Sequence, residues 1–336
     1  MADPSTRTTV KHSTSEFYNE RYAGDYMHTD AYSVWGHGDL RTRQVLETLS
    51  FAQIRPRRIL DYGCGVGGWI GTLFRVFPEA EISGVDISST AIAKATKQFP
   101  ACRLESFSGI TAPFADDEFD LVFSYHVLEH VDDIQVSVSD IARMLRAGGY
   151  AVLIFPCGNE GSFLERSMRL LEGAWLPTPD GRSVLFFETD DGHVRRMTSR
   201  DTLAICERCG LQAVAELFSG HLFGTLDWLC RGTGPAYINK VFSGRPPVGH
   251  FARFRLQLIR RALLAAHRLI GKKSLDLTKK RNPVKQSAVA LVRLFATLAD
   301  QLLTGLSSLE WRLFKRNSRG TVQYLVLRKA VATADA

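Results

Sequence analysis

Residues 59–68 read ILDYGCGVGG. An apolar pair, Ile59 and Leu60, leads into an acid, and the acid into glycines at 63, 65, 67 and 68. A buried strand that ends in glycine predicts a sharp turn at which backbone rather than side chain meets a ligand. Glycine spacing alone does not choose that ligand. Gly63, Gly65 and Gly67 give G-x-G-x-G, while Gly63, Gly65 and Gly68 also satisfy the G-x-G-x-x-G of dinucleotide sites. The acid chooses. Asp61, at the end of the strand, is poorly placed beside a pyrophosphate and well placed beside a cation. A second acid, Asp86, closes AEISGVD (80–86), where a carboxylate can accept both ribose hydroxyls. An amino group near Asp61 and a ribose on Asp86 suit S-adenosyl-L-methionine. Gly63, Cys64, Gly65, Gly67 and Ile87 are then expected around that cofactor.

Working outward, strand and helix patterns alternate. VGGWIGTLFRVF (66–77) and STAIAKATKQF (89–99) read as helices. FDLVFSYHVLEHV (119–131) reads as a strand passing into a helix, and SVSDIARMLRAGGYAVLIFP (137–156) as helix, Gly-Gly turn and strongly apolar strand. TSRDTLAICERCG (198–210) is expected as a helix capped by Ser199 and closed by Gly210, followed by the strand LQAVAELF (211–218). This order predicts a mostly parallel sheet with helices on both faces. Upstream, DLRTRQVLETLSFAQI (39–54) reads as a helix, and Tyr18, Tyr22 and Tyr26 recur every four residues along one helix face. The last strand signal, TVQYLVLRKA (321–330), lies about a hundred residues beyond the previous one.

The chain has 336 residues, 45% hydrophobic and 23% charged, enough apolar material for a substantial core and too much for wholesale disorder. Its net charge of +7 is uneven. Residues 231–316 hold 18 Lys and Arg against Asp276, Asp300 and Glu310, a segment of +15, which leaves −8 for the rest. The six cysteines suggest no disulfide framework, and the lone CxxC, Cys206 and Cys209, falls inside a helical pattern. The N-terminus lacks the apolar stretch of a signal peptide, and no 18-residue uncharged apolar run is present. A cytoplasmic protein without a membrane-spanning helix is therefore expected, or one held peripherally on the inner face of the membrane.

Taken together, these motifs resemble the class I S-adenosylmethionine-dependent methyltransferases, and more narrowly the group holding quinone-pathway and natural-product enzymes. ILDYGCGVGG resembles the family's first motif, GVDIS (84–88) the second, FADDEFDLVFSYHVLEHV (114–131) the fourth-strand region and MLRAGGYAVLIFP (144–156) the fifth. The resemblance spans roughly residues 40–225 and 320–330. It implies a doubly wound, seven-stranded, Rossmann-like α/β sheet whose last strand is antiparallel, with a basic helical insertion before that strand. The expected organisation is an N-terminal tail and cofactor-covering helix over 1–38, a methyltransferase domain over 39–225 and 319–331, and an inserted subdomain over 226–318. Where the family often carries an acid facing adenine, this chain has Ser108, so adenine is expected on Phe107, Ser108 or the backbone of 107–109, with Glu105 as the alternative register. Ser124 and Tyr125, which close the fourth strand, are expected beside the cofactor.

Methyl transfer from a sulfonium is an in-line displacement, so the enzyme orients the acceptor and excludes water. A hydroxyl acceptor must also lose its proton. His126 is the first candidate base, with His130 four residues on along the expected helix, Glu129 adjoining it, and His193 a weaker candidate. Related quinone enzymes carry acids here that hold a divalent cation. His126 replaces the first of them, and no metal is assigned, although Asp190, Asp191 and His193 could complete such a site. Phe163, Leu164, Met168, Leu171 and Trp175 read either as an acceptor lid or as helix packing. The expected activity is O-methylation of a small apolar or lipid-linked acceptor. Alternatives are N- or C-methylation, RNA methylation, and a non-catalytic cofactor-binding protein. The basic insert attracts phosphate without specificity but shows no nucleic-acid module, so nucleic acid is not favoured.

Within the insert, 251–270 places Phe251, Phe254, Leu258 and Ile259 across from Arg253, Arg260, Arg261 and Arg268. A second, leucine-rich helical run is expected over about 286–315. The insert's apolar faces have three uses: packing against each other and the core, a homodimer interface, or peripheral docking on an anionic membrane through 231–316, with Phe251, Phe254 and Leu258 buried in the interface and Arg and Lys on the head groups.

Overall fold

The computed structural model describes residues 14–24, 40–169, 175–177, 183–185, 188, 192–231, 239, 250–279 and 282–331. The chain divides into two compact units. One comprises 1–158, 176–217 and 322–336, and the other 159–175 and 218–321. The second takes in 159–175 as well as the expected insert.

The first unit is built on a sheet of seven strands: β1 (Arg58–Tyr62), β2 (Glu81–Asp86), β3 (Arg103–Ser106), β4 (Phe119–Tyr125), β5 (Leu145–Pro156), β8 (Leu211–Ser219) and β9 (Val322–Lys329). Their order is β3-β2-β1-β4-β5-β9-β8, and β6 (Trp175–Pro177) and β7 (Ser183–Leu185) form a separate short pair. The pairs β1–β2, β1–β4, β2–β3 and β4–β5 are parallel, whereas β9 runs antiparallel to β5 from Tyr150↔Arg328 to Pro156↔Val322. The fold is therefore the doubly wound α/β sheet expected from the sequence, with β9 reached only after a long helical insertion.

Central strands buried on both faces need near-continuous apolar runs. Leu60, Leu121, Val122, Phe123, Val152 and Leu153 are accordingly inaccessible to solvent. Helices α1 (Ser15–Ala23), α2 (Leu40–Ser50), α3 (Ile70–Val76), α4 (Ser89–Gln98) and α5 (Ile134–Met144) precede or connect these strands. Asp133 starts α5 by accepting from the amides of Gln135 and Val136. Residues 128–130 form a turn where the sequence suggested that the strand passes into a helix, and the next helix starts at Ile134. The Gly-Gly turn after α5 is absorbed into β5 as an irregularity: Phe119 pairs with Leu145, and the next pair is Leu121 with Tyr150. α7 (Ser199–Arg208) is capped by Thr198, which accepts from Asp201, rather than by Ser199. Cys206 is buried in it and Cys209 ends it, with Gly210 left-handed at φ +76°.

The second unit contains α6 (Phe163–Met168), α8 (Phe223–Arg231), α9 (His250–Gly271) and α10 (Pro283–Phe314). Buried Glu310 of α10 accepts from the amides of Leu222, Phe223 and Gly224, neutralising the donors that open α8. His267 of α9 bonds the Cys230 carbonyl at 2.7 Å. Asn282 caps α10 and Pro283 occupies its first turn. Among the described residues α10 is long and apolar enough to cross a membrane: an 18-residue window has mean hydropathy 1.4 and only 6% of it is buried. Arg293 and Asp300 interrupt its apolar sequence, so it contains no uncharged run of 18 residues.

Candidate active site

The loop between β1 and α3 is shaped by left-handed glycines. Gly63, Gly65 and Gly67 have φ of +81°, +52° and +87°. A Cβ on Gly63 would lie 2.2 Å from Val127, one on Gly65 2.6 Å from the Tyr22 hydroxyl, and one on Gly67 2.6 Å from Phe99. Backbone conformation and close approach thus both demand glycine here. The Gly63 and Cys64 amides donate to the Val85 carbonyl, which ties the loop to β2.

Both acids named from the sequence are at this loop and buried. Asp86 accepts from the Gly65 amide on Oδ2 and from the Ser88 amide on Oδ1, each at 2.8 Å. One lone pair on each oxygen remains for hydroxyls. Burial raises its pKa, and these two amides work against the rise. Asp61 differs. Its Oδ2 is buried without a hydrogen-bond partner, and burial, with Asp86 adding to it, lifts its pKa to about 8. A buried carboxyl beside a second carboxylate, with an unspent oxygen, fits a site for a cationic group. Asp61 and Asp86 thus present the two carboxyl groups that the sequence leads one to expect at the amino and ribose ends of S-adenosylmethionine.

The other expected cofactor residues divide. Cys64 is buried, with burial pushing its thiol well above its ordinary pKa. The Ile87 carbonyl accepts from Ser15 of α1. Phe107 donates its amide to the Asp86 carbonyl and sets its ring edge-on to Tyr62 at 5.7 Å, while Ser108 is exposed in the loop after β3. Ser124 closes β4 with its buried hydroxyl donating to the Tyr62 carbonyl at 2.9 Å, joining β4 to β1. Tyr125 packs between Trp69, at 4.9 Å, and His126, at 4.5 Å. Trp69, whose buried indole N–H has no partner among the described residues, was not singled out in the sequence.

α1 lies along α4 and the glycine loop. Its Asn19 accepts from the Ser88 hydroxyl and the Thr90 amide, and Lys94 donates to the Tyr22 carbonyl. This places the Tyr22 hydroxyl over Gly65 and sets the Tyr18 ring edge-on to His130 at 5.8 Å. Tyr26 lies outside the described residues.

Beyond β4 the backbone turns through His126, a non-glycine residue at φ +56°, pinned by its amide to the Ile154 carbonyl at 2.7 Å. A left-handed side chain at the carboxyl end of a central strand is a conformation that functional sites retain. His126 Nδ1 meets Glu129 Oε1 at 2.8 Å. Glu129 is fully buried. Burial alone would raise its pKa, but His126, His130 and His193 hold it down to about 2. An ionised carboxylate only accepts, so Nδ1 must donate, which leaves Nε2 of the neutral ring as the acceptor. His130 and His193 stack edge to face at 4.7 Å, and burial, with His130 adding to it, lowers His193 to about 4, neutral at pH 7. Thus His126, His130 and His193 are brought together, and Glu129 is the carboxylate that joins them.

The segment bearing His193 is fastened on both sides. The Val194 amide donates to the Glu129 carbonyl, and Arg195 bonds the carbonyls of Val131 and Asp132. Buried Glu188 and Arg196 form a bidentate pair at 2.6 and 2.9 Å, and Arg196 also donates to Cys157 at the end of β5. This pair was missed, since two residues eight apart along a helix or strand would lie about 12 or 26 Å from each other, and only the path of the loop brings them together. One ligand atom each from Glu129, His130 and His193 lies within 4.8 Å of the others, a set able to hold a metal ion. Asp190, Asp191 and Leu171 lie outside the described residues.

Comparison with known proteins finds methyltransferases over part of the chain. The family described as "Methyltransferase domain" matches residues 60–153. The chain is 29% identical over 182 residues to the chloroplastic tocopherol O-methyltransferase of Arabidopsis thaliana, covering 46% of this chain and 52% of that one. It is 32% identical over 135 residues to a malonyl-[acyl-carrier protein] O-methyltransferase of Legionella pneumophila, covering 39% and 45%. The chain thus spans about half the length of these curated relatives. A solved structure of a putative sarcosine dimethylglycine methyltransferase from Galdieria sulphuraria aligns over 94% of this chain and 98% of that one, with 14% identity and a TM-score of 0.47. Residues 60–153 thus match a methyltransferase-domain family, and with its glycine loop, its two buried acids and its sheet order the chain resembles the class I S-adenosylmethionine-dependent methyltransferases.

Proposed function

We propose that the protein methylates the hydroxyl of a small apolar or lipid-linked acceptor. The observation that carries this reading is the His126–Glu129 pair at the end of β4. Glu129, ionised and buried, fixes the imidazole with Nε2 free, and His126 is partly solvent-accessible, so an acceptor can reach it. S-adenosylmethionine, when bound, supplies a methyl group on a positively charged sulfur. His126 would take the acceptor's O–H proton as the oxygen takes up the methyl group that the cofactor would supply, the sulfonium being left as a neutral thioether. The proton rests on Nε2, and Glu129 stabilises the imidazolium. Asp61 and Asp86 orient the cofactor from its other end.

The lipid-linked part of the proposal, and its location at a membrane surface, draw support from α10. Leu291, Leu294, Phe295, Leu298, Leu302 and Leu309 are all at least half exposed. At 100° per residue they fall within about 60° of one line along the helix. Ala296, Ser307, Glu310 and Trp311, on the other side, are buried. A helix packed on one side and apolar on the other suits lying in the interfacial plane rather than crossing it. Exposed Lys272, Lys279 and Lys285 add charge for anionic head groups.

The test is turnover of labelled S-adenosylmethionine on a total cell extract split into lipid, soluble and RNA fractions, with the methylated atom identified by mass spectrometry. Label on an oxygen of a lipid-soluble product is expected. Label only in RNA, or on nitrogen or carbon, rejects the reading.

A further inference from the structure

A cavity of about 380 Å³ lies wholly within the second unit, where α6 begins, α8 begins and α10 ends. Its wall is apolar: Phe163, Leu222, Phe223, Leu306, Leu309 and Leu313 line it. Ligand pockets of roughly 300–1,000 Å³ with such walls and a few convergent polar groups are typical binding sites. The polar groups here converge at one place. A Cβ built on Gly161 would lie 3.5 Å from Arg319 Nε and 3.7 Å from Arg166 Nη2, so both guanidiniums reach the same point. Both arginines line the cavity and are exposed, and among the described residues neither is in an ion pair. Glu165 is engaged by the Gly161 amide and by Arg169, and Glu310 by the three amides that open α8. His221, also in the lining, meets the Asn317 carbonyl through Nε2 at 2.9 Å. A carbonyl only accepts, so Nε2 donates, and Nδ1 is left buried without a partner.

Two unpaired guanidiniums at one point of an apolar cavity call for an anion with a hydrocarbon tail. We propose that this cavity binds a single-tailed amphiphile with a phosphate monoester head, the head on Arg166 and Arg319 and the tail along Leu306, Leu309 and Leu313. Guanidinium forks suit phosphate oxygens. Leu309 and Leu313 are 51% and 65% exposed, so the wall of the cavity continues the open apolar line of α10. The tail therefore has a route to the surface. This proposal does not depend on the methyl-transfer reading.

Calorimetry of the full chain with monomeric dodecyl phosphate, kept below its aggregation concentration, tests it. Saturable one-to-one binding is expected, with dodecanol and inorganic phosphate each at least about 10-fold weaker, since each lacks one half of the recognition. The Arg166→Gln/Arg319→Gln double variant should bind dodecyl phosphate at least about 10-fold more weakly. Both positions are exposed and unpaired, so the variant keeps its fold, and its unchanged affinity for S-adenosylmethionine confirms that. Leu309→Glu should lose the same ligand through the tail. If Leu309→Glu unfolds, the arginine variant decides alone. Absence of saturable binding overturns the proposal. So does dodecanol binding as tightly as dodecyl phosphate, or an arginine variant that binds like the unaltered protein.

Discussion

Asp61 and His126 share a logic: the chemical state of each is set by what stands beside it, the ionisation of Asp61 and the tautomer of His126. Asp61 is held near pKa 8 by burial and by Asp86, so it is mostly protonated at pH 7 until a cation arrives. Its folded value lies above the ordinary carboxylate value, so its ionisation costs stability as pH rises from about 4 through 8. A bound ammonium would remove that cost. His126 instead depends on Glu129 for its tautomer. His126→Ala should cut turnover about 100- to 10,000-fold, the range of a general base, and leave the cofactor dissociation constant within about threefold. Stopped-turnover kinetics beside cofactor titration separate the two. A rate that does not fall assigns the proton to another group or to the acceptor itself.

At the scale of elements, the glycine loop and α1 act as one piece. Gly65 is left-handed and the Tyr22 hydroxyl stands over it, so Gly65→Ala must both strain the loop and push α1 away. Loss of cofactor affinity by at least about 10-fold is expected, with a drop of a few degrees in melting temperature from roughly 1–2 kcal/mol of strain. Equilibrium dialysis and thermal unfolding check both; unchanged affinity would show that α1 and the loop do not share the site. The loop and the strands were legible in the sequence because glycine after a buried apolar run has few other uses. Asp61 and Asp86 were legible because each ends a strand. The turn after β4 was not. HVLEHV has helical spacing, but Asp133 caps the next helix and the left-handed His126 breaks the strand first. Ser124 carries a hydroxyl that looks available in sequence, and only the neighbouring strand shows that Tyr62 takes it. Glu188 and Arg196 meet through a loop whose path no local pattern encodes.

At the scale of the whole molecule, charge is divided as the sequence indicated, with +15 in residues 231–316 and −8 elsewhere. The exposed line of α10 gives that basic segment an apolar partner. Liposome flotation should show binding to anionic vesicles that weakens with salt and is lost in Leu298→Glu/Leu302→Glu. Residues 298 and 302 are 51% and 64% exposed, so the substitution leaves packing intact. Equal flotation with neutral vesicles, or no flotation, rejects membrane docking; dimers by sedimentation would give the apolar line to a second copy. The central claim is that the loop after β1, with Asp61 and Asp86, holds S-adenosylmethionine. Calorimetry at pH 7 with S-adenosylmethionine and with NAD, repeated in buffers of different ionisation enthalpy, tests it most directly. The account predicts micromolar binding of S-adenosylmethionine, no binding of NAD, and release of close to one proton as Asp61 ionises against the amino group. Binding of NAD alone, or of S-adenosylmethionine with no proton released, would contradict it.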